Sequence, residues 1–450
     1  MSALSHDLPD GMFEWVEDVA GGVITHLHRH PARREAWVVD VKRPDGSVLE
    51  CFLRFERDKG NLERETRIVQ ALSRTDVPVP NVYAGWNADL RATLFERDPG
   101  RSDIDKLENS HQQRAVMEDF IRVVARFHRL DPDDLGIDDI MPARPKNDRE
   151  AVLGEVDAVI DRWSHFLDGY VDPFTTYAID WLYRFAPKQV ARVSLVQGDT
   201  GPVNFMFQGD RVSSVIDWEL GHWGDPLEDL GNICVREMWN PTVGLNGLFK
   251  LYSEESGVPY SRFAAQYYTV HQNVRGMVGI HWYSQNAYQR EPLAWAICYR
   301  YVGDRTTIEM IAAAMEIAIE RPEMPNDDAA PDVLALGATH SLERDVMPAI
   351  EDAFAAGRAR DIAILIECID RRQRHAAALE AIECDEIGAL LGRTPGSAEE
   401  ATAQLDAAIR DRRLEDEPLV KYLARRAYRD EWLYAPAAKL YPGRQWAEID

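Results

Sequence analysis

The 450-residue sequence has little of what marks several large protein classes. Its five cysteines, Cys51, Cys234, Cys298, Cys368 and Cys384, are scattered, odd in number and without C-x-x-C or other ligand spacing. That argues against a disulfide framework or a zinc site and reads as reduced thiols in a cytoplasmic protein. No stretch approaches the roughly 20 apolar residues a membrane helix needs, and the N-terminal residues lack the basic region and apolar run of a secretory signal. Lys and Arg number 51 against 76 Asp and Glu, a net charge of −25. The cationic surplus that meets phosphate backbones and anionic lipid is missing, so neither nucleic acid nor membrane is an expected partner. Internal repeats and low-complexity tracts are absent too.

What is present is ordinary for a globular chain, 45% hydrophobic and 28% charged. Its length exceeds what one hydrophobic core usually holds and predicts two or three domains. The densest chemistry lies between Gln197 and Gly231. Asp199 is followed five residues later by Asn204, the Asp-x-x-x-x-Asn spacing with which a kinase catalytic loop presents one base and one metal ligand. Phe205 to Phe207 and Val212 to Ile216 flank the turn residues Gln208-Gly209-Asp210-Arg211, which predicts a hairpin. If Phe207 pairs with Val212, Asn204 falls opposite Val215 and Asp217 just beyond, at the same open end. One oxygen ligand from each arm then suits a hard cation such as Mg²⁺ carrying substrate phosphates.

These residues resemble the aminoglycoside phosphotransferase and choline-kinase-like family, whose loop reads His-Gly-Asp-x-x-x-x-Asn and whose metal segment reads Ile-Asp-Trp-Glu, as at Ile216-Asp217-Trp218-Glu219. Gly224-Asp225-Pro226 and Asp229-Leu230 match as well. The resemblance implies that Asp199 is the catalytic base and that Asn204 and Asp217 bind Mg²⁺. Gln197 departs from the pattern, standing where the family has His.

The same resemblance orders the N-terminal part. Val38 to Val41 and Val48 to Phe55 flank Pro44-Asp45-Gly46, a hairpin signal. Gly21-Gly22 lies before the first β-like run, where the family places a loop over nucleotide phosphates. Arg54 occupies the strand position of the phosphate-bracing cation, and Arg there is similar to the phosphotransferase domains associated with acyl-CoA dehydrogenases. Its helix partner is Glu65, with Glu63 in reserve, on a predicted helix from Asn61 to Leu72 whose Leu62, Ile68, Val69 and Leu72 share a face. Val77-Pro78-Val79-Pro80 cannot be helical and links this helix to the next strand. Thr93 to Arg101 resembles the family's strand and hinge, where backbone near Glu96 to Asp98 meets adenine.

From residue 100 helix dominates. Val116, Phe120, Val123, Val124 and Phe127 recur at helical spacing and lead to His128, which reads as a structural His at a helix end. Trp163, Trp181, Leu182 and Phe185 read as packing aromatics, while Tyr267, Tyr268, His271, Trp282, Tyr283 and Trp295 lie in helices that the family uses to wall its acceptor pocket. Pro322 to Pro331, with Asn326-Asp327-Asp328, reads as a linker. Beyond it Leu342, Val346, Met347, Ile350 and Phe354 trace one amphipathic helix, followed by others around Ile362 to Ile369, Ala376 to Leu391 and Leu405 to Ile409.

The expectation is therefore an α+β, bilobal protein-kinase-like fold with a small antiparallel β lobe, a larger helical lobe and an additional C-terminal helical domain. Residues 1–98 would form the nucleotide lobe, 99–325 the catalytic and substrate lobe, and 326–450 an independent helical unit with a dimerisation or lid role. The implied activity moves the γ-phosphoryl group of ATP to a hydroxyl of a small metabolite, a hydroxyacyl-CoA ranking first, with Mg²⁺. The competing expectation, motivated by Gln197 and Arg54, is a decayed kinase fold that binds nucleotide or serves as a scaffold.

Overall fold

The computed structural model describes residues 8–30, 35–57, 60–286, 292–327 and 330–449. Asp328, placed in the linker by sequence, lies outside them. The chain packs as two compact units: residues 1–152, 188–262 and 447–450 form one, and residues 153–187 and 263–446 form the other. Packing thus draws its division at different places from the three-part reading of the sequence.

The first unit opens with helix Met12–Ala20 and then builds a five-stranded antiparallel sheet from β1 (Val23–Arg29), β2 (Ala36–Lys42), β3 (Val48–Phe55), β4 (Val82–Asn87) and β5 (Ala92–Glu96), in the order β1-β2-β3-β5-β4. Strand alternation sends Leu27, Val39, Val41, Cys51, Leu53, Phe55 and Leu94 to one face, where they bury against Met12, Val16 and Ala20. The opposite face carries Arg54. Helix Leu62–Leu72 buries Leu62, Ile68, Val69 and Leu72 on the predicted face, and its Thr66 hydroxyl lies 2.7 Å from the Thr93 hydroxyl on β5. That buried contact fixes the helix on the sheet and sets the rotation of its neighbour, Glu65.

Helix Ser110–His128 packs against helix Leu248–Ser256 and against both of two small β elements. In the first, β6 (Ser194–Val196) pairs with β9 (His222–Gly224); in the second, β7 (Phe205–Gln208) pairs with β8 (Arg211–Val215). The proline segment meets the hairpin directly, with the Val215 amide donating to the Pro78 carbonyl at 2.8 Å.

The second unit is helical. Trp181 of helix Pro173–Phe185 stacks on Phe185 and on Tyr267 of helix Arg262–Gln285, at 5.3 and 5.7 Å between ring centroids. The C-terminal helices pack into the same unit. Arg184 grips both oxygens of Asp416, at 2.7 and 2.8 Å, and the Tyr177 hydroxyl donates to Asp416 at 2.8 Å. Helix boundaries here differ from the expectation. Leu342 to Phe354 is not one helix: helix Val333–Ser341 passes through a π turn (Leu342–Val346) and a 3-10 turn (Met347–Ala349), and the chain extends at Ile350. Pro348 cannot donate a helical hydrogen bond, and Asp352 starts a new helix by capping the Ala355 amide at 2.7 Å. The segments around Ile362 and Ala376 then prove continuous in a 39-residue helix, Ala353–Leu391, because no proline or capping signal separates them. The five cysteines are all free, four of them buried.

Candidate active site

The loop after β6 is held from beneath. The backbone amides of Gln197 and Gly198 donate to Asp229 at 2.9 and 3.0 Å. Asp229 sits on helix Leu227–Trp239 with no exposed surface. It also faces His128 Nε2 at 3.0 Å and accepts from Asn232 at 3.1 Å. Burial pushes its pKa up, yet the hydrogen bond and charge of His128 and the bond from the Gln197 amide outweigh that and hold the carboxyl below the ordinary carboxylate range. The other ring nitrogen of His128 lies 2.8 Å from the Tyr252 hydroxyl. A fully buried His with two fixed partners is a prop, as its place at a helix end suggested.

Backbone conformation shapes the loop above. Gly198 has φ +84°, and a Cβ there would lie 2.6 Å from the Leu220 carbonyl, so only glycine fits. Val203 adopts φ +74°, a strained state for a β-branched residue and the kind that collects at functional loops. The resulting turn folds Asn204 back so that its Nδ2 donates to the Asp199 carbonyl at 2.6 Å. Asp199 and Asn204 therefore stand together.

The Asp199 carboxylate receives two hydrogen bonds from Arg236, from Nε at 2.7 Å and from Nη2. Sequence reading missed Arg236. The available signal was its position seven residues after Asp229, two helical turns on and so on the same helix face.

On the other arm, Phe207 does pair with Val212, but Phe205 pairs with Val215, so Ser213 is an extra residue in β8. This bulge moves the register by one: Ile216, not Val215, stands opposite Asn204, its amide donating to the Asn204 carbonyl at 3.1 Å. Asp98 accounts for the bulge, since it accepts from Ser213 at 2.8 Å and Ser214 at 2.7 Å, one hydroxyl on each oxygen. Asp217 follows with φ +62°. Gln197 Nε2 donates to the carbonyls of Ile216 at 2.6 Å and Asp217 at 3.4 Å, so the amide standing in the family's His position ties the Asp199 loop to the Asp217 segment.

Ligand atoms of Glu65, Asp217 and Glu219 lie within 4.8 Å of one another. Glu65 is also the partner of Arg54, Oε1 to Nη1 at 2.9 Å, with both side chains mostly buried. The structure thus brings the predicted strand cation, its helix Glu and the metal-segment Asp into one continuous set. Glu219, quoted in the sequence motif without a role, joins them.

The remaining sites fall elsewhere. Gly21 is the left-handed C-cap of helix Met12–Ala20, and a Cβ on Gly22 would lie 2.3 Å from the Lys42 carbonyl. Both glycines precede β1, while residues 31–34 of the β1–β2 connection lie outside the described residues. Glu96 ends β5 and accepts from the Asn81 amide and side chain at 3.1 and 2.6 Å. Of the aromatics expected to wall an acceptor pocket, Tyr267, Tyr268 and His271 are wholly buried in the second unit, and Trp282 tilts against Trp163 at 5.6 Å.

A sequence model described as the phosphotransferase enzyme family matches residues 14–266. Among curated relatives, rat acyl-CoA dehydrogenase family member 11 is 26% identical over 231 residues, 48% of this chain but 28% of the rat protein. Mouse acyl-CoA dehydrogenase family member 10 is 27% identical over 211 residues, 43% of this chain and 18% of its own length. The chain thus spans less than a third of each of these two relatives. A solved structure from Ralstonia eutropha, provisionally named an aminoglycoside phosphotransferase, superposes with a TM-score of 0.56 at 20% identity, covering 68% of this chain and 97% of the other. That likeness speaks to the fold.

Proposed function

The chain belongs to the phosphotransferase enzyme family, and on that premise we propose that it transfers the γ-phosphoryl group of ATP to a hydroxyl of a small metabolite. Residues 1–98 would serve as nucleotide lobe, 99–325 as catalytic and acceptor lobe, and 326–450 as an added helical part. Asp199 would orient the acceptor hydroxyl and take its proton as the oxygen bonds to the γ-phosphorus and the bond to ADP breaks. Its basicity need not be high, because phosphoryl transfer depends mainly on positioning and electrostatic stabilisation. Arg236 would fix the rotamer of Asp199, and Arg54, held by Glu65, would brace the phosphates. The donor set fits Mg²⁺: oxygens of Asp217 and Glu219 lie close together, and Asn204 Oδ1 would join them, since its Nδ2 is turned to the Asp199 carbonyl. Bound there, Mg²⁺ would neutralise charge on the phosphates.

The observation that carries this reading is the fold-back of Asn204 onto Asp199 beside an Arg54–Glu65 pair that reaches Asp217. Backbone at Glu96 and Asp98 remains the proposed adenine edge, and Gly21 and Gly22 a weaker proposed phosphate contact. A hydroxyacyl-CoA ranks first among acceptors on the names of the curated relatives alone, an associational warrant. A cytoplasmic setting is proposed with it. The bidentate Arg236–Asp199 pair favours a second reading, a nucleotide-binding protein whose base is permanently engaged.

One pair of variants separates the two. Asp199→Asn should abolish transfer while Mg-ATP affinity stays nearly intact, and Asp217→Asn should lower nucleotide binding and turnover together. Calorimetry with and without Mg²⁺, and mass spectrometry of a hydroxylated-metabolite screen, read both. Nucleotide binding by the wild type without any phosphorylated product, across thioesters, sugars and aminoglycosides alike, would leave the second reading.

A homodimer through the added helices is proposed as well. Val333, Leu334, Phe354, Ile362 and Ile369 are 49–78% exposed, and the Asp332 amide bonded to Asp370 lays helix Val333–Ser341 beside the long helix that carries the last three. Exposed apolar ridges of this kind mark contact surfaces. Sedimentation should show a dimer that Leu334→Glu with Phe354→Glu converts to monomer; a wild-type monomer at high concentration removes the proposal.

A further inference from the structure

Three of the twelve histidines fall at alternate positions of one edge strand: His26, His28 and, just past its end, His30. In β1 His26 is opposite Asp40 and His28 opposite Val38, and the His30 amide donates to the Ala36 carbonyl at 2.8 Å. In the next pair Asp40, Val38 and Ala36 are opposite Glu50, Phe52 and Arg54. Residues opposite one another in a ladder share a face, as do alternate residues of one strand. The three imidazoles therefore stand on the face that carries Arg54, away from the packed core under Leu27, Val39 and Leu53. All three are exposed. His28 Nδ1 lies 2.8 Å from His26 Nε2, and the His30 ring meets Phe52 edge-on at 5.6 Å between centroids.

We propose that His28 and His30, supported by His26, form a proton-dependent subsite for the polyphosphate of the nucleotide. The proposal rests on the reading that nucleotide phosphates lie against Arg54, since Arg54 and His30 flank Ala36 in one cross-strand row, roughly 10 Å apart at two strand spacings. The charged groups around the row are already committed to one another. Arg97 binds Asp40 at 2.9 Å and also Glu50, Arg54 binds Glu65, and Glu35 is met by Arg57 at 3.0 Å and Arg29 at 3.5 Å. Loss of hydration beside its neighbours, and then the charge of nearby His28, hold the His30 pKa below its ordinary value, so near pH 7 its ring is mainly neutral before ligand arrives. A polyphosphate reverses that balance, because an anion within hydrogen-bond reach favours imidazolium.

The sign follows by linkage. Binding raises the His30 pKa, so it takes up a proton, and affinity rises as pH falls through the bound-state pKa toward the lowered unbound one. Below both values no further gain remains. The gain approaches about tenfold per pH unit for each fully linked proton.

The experiment titrates MgADP into the intact protein by calorimetry from pH 6 to 8, in buffers of different ionisation heat, with adenosine as the phosphate-free control. Expected is a proton uptake with MgADP that His28→Asn combined with His30→Asn abolishes, and that adenosine does not produce. His30→Lys, carrying a fixed charge, should flatten the pH dependence while keeping the low-pH affinity at pH 8. If MgADP binds with the same proton uptake in the double Asn variant, or with none in the wild type, the histidine subsite is overturned while the kinase reading stands. If MgADP binds at no pH, the nucleotide reading itself fails and takes this subsite with it.

Discussion

At the scale of single residues, Asp229 decides whether the loop that carries Asp199 keeps its shape. One carboxylate satisfies two backbone amides and a buried His, so its removal leaves several buried donors without an acceptor. Breaking a buried, hydrogen-bonded charge of this kind costs about 3–5 kcal/mol, and Asp229→Asn should lower the melting temperature accordingly at pH 7. The pH dependence has a definite sign. A carboxyl held below its ordinary value contributes stability above the unfolded-state pKa of about 3.9 and loses it as pH falls through the lower folded value. The gap between wild type and Asp229→Asn, read by calorimetric melts, should therefore narrow below about pH 4; a gap that widens in acid would reverse the assignment. Gln197 shows why a departure from a motif need not be a lesion. Its amide donates to two carbonyls of the Asp217 segment, a task within reach of either a Gln N–H or an imidazole N–H.

At the scale of elements, the β7–β8 hairpin shows how a one-residue count can hold at the turn and fail at the open end. The pairing of Phe207 with Val212 was legible from turn residues and apolar runs. The bulge was not, because its cause is Asp98, over 100 residues away in sequence, binding Ser213 and Ser214. Asp98→Ala should strip both hydroxyls of their acceptor and destabilise the fold by about 1–3 kcal/mol. It should also weaken Mg-dependent nucleotide binding, since the bulge sets where Asp217 emerges. Chemical denaturation and calorimetry measure the two effects. Unchanged stability would mean that the serines find other partners and that the bulge is intrinsic to the strand.

At the scale of the whole molecule, the question is what the C-terminal helices do for the rest. They pack with residues 153–187 and 263–314 in one compact unit. Tyr177 and Arg184 end on Asp416, Thr176 donates to Asp406 at 2.6 Å, and Arg305 meets Glu431. Truncation after residue 325 would leave these polar groups facing an exposed apolar surface. The shortened chain should lose cooperative unfolding in that unit and much of its solubility, where full-length protein melts sharply. A 1–325 chain that melts within a few degrees of the intact protein would show the added helices to be passengers and would restore an independent unit beyond residue 332.

The sequence by itself determined the α+β class, the hairpin partners, the face of the Leu62–Leu72 helix and the identity of Asp199, Asn204, Asp217, Arg54 and Glu65 as candidates. The hairpin and the helix face follow from local spacing and turn chemistry; the fold class and the candidate residues follow from a family resemblance carried by motifs whose parts lie close along the chain. Tertiary structure alone decided that Arg236 meets Asp199, that Asp98 forces a bulge, that Glu219 and Glu65 converge with Asp217, and that three histidines share a face with Arg54. It also decided that the last helices complete a unit begun at residue 153. The physical reason is common to all of these: a side chain's partner across space is fixed by packing, by strand register and by which buried donors lack an acceptor. None of those is written in the residues immediately beside it.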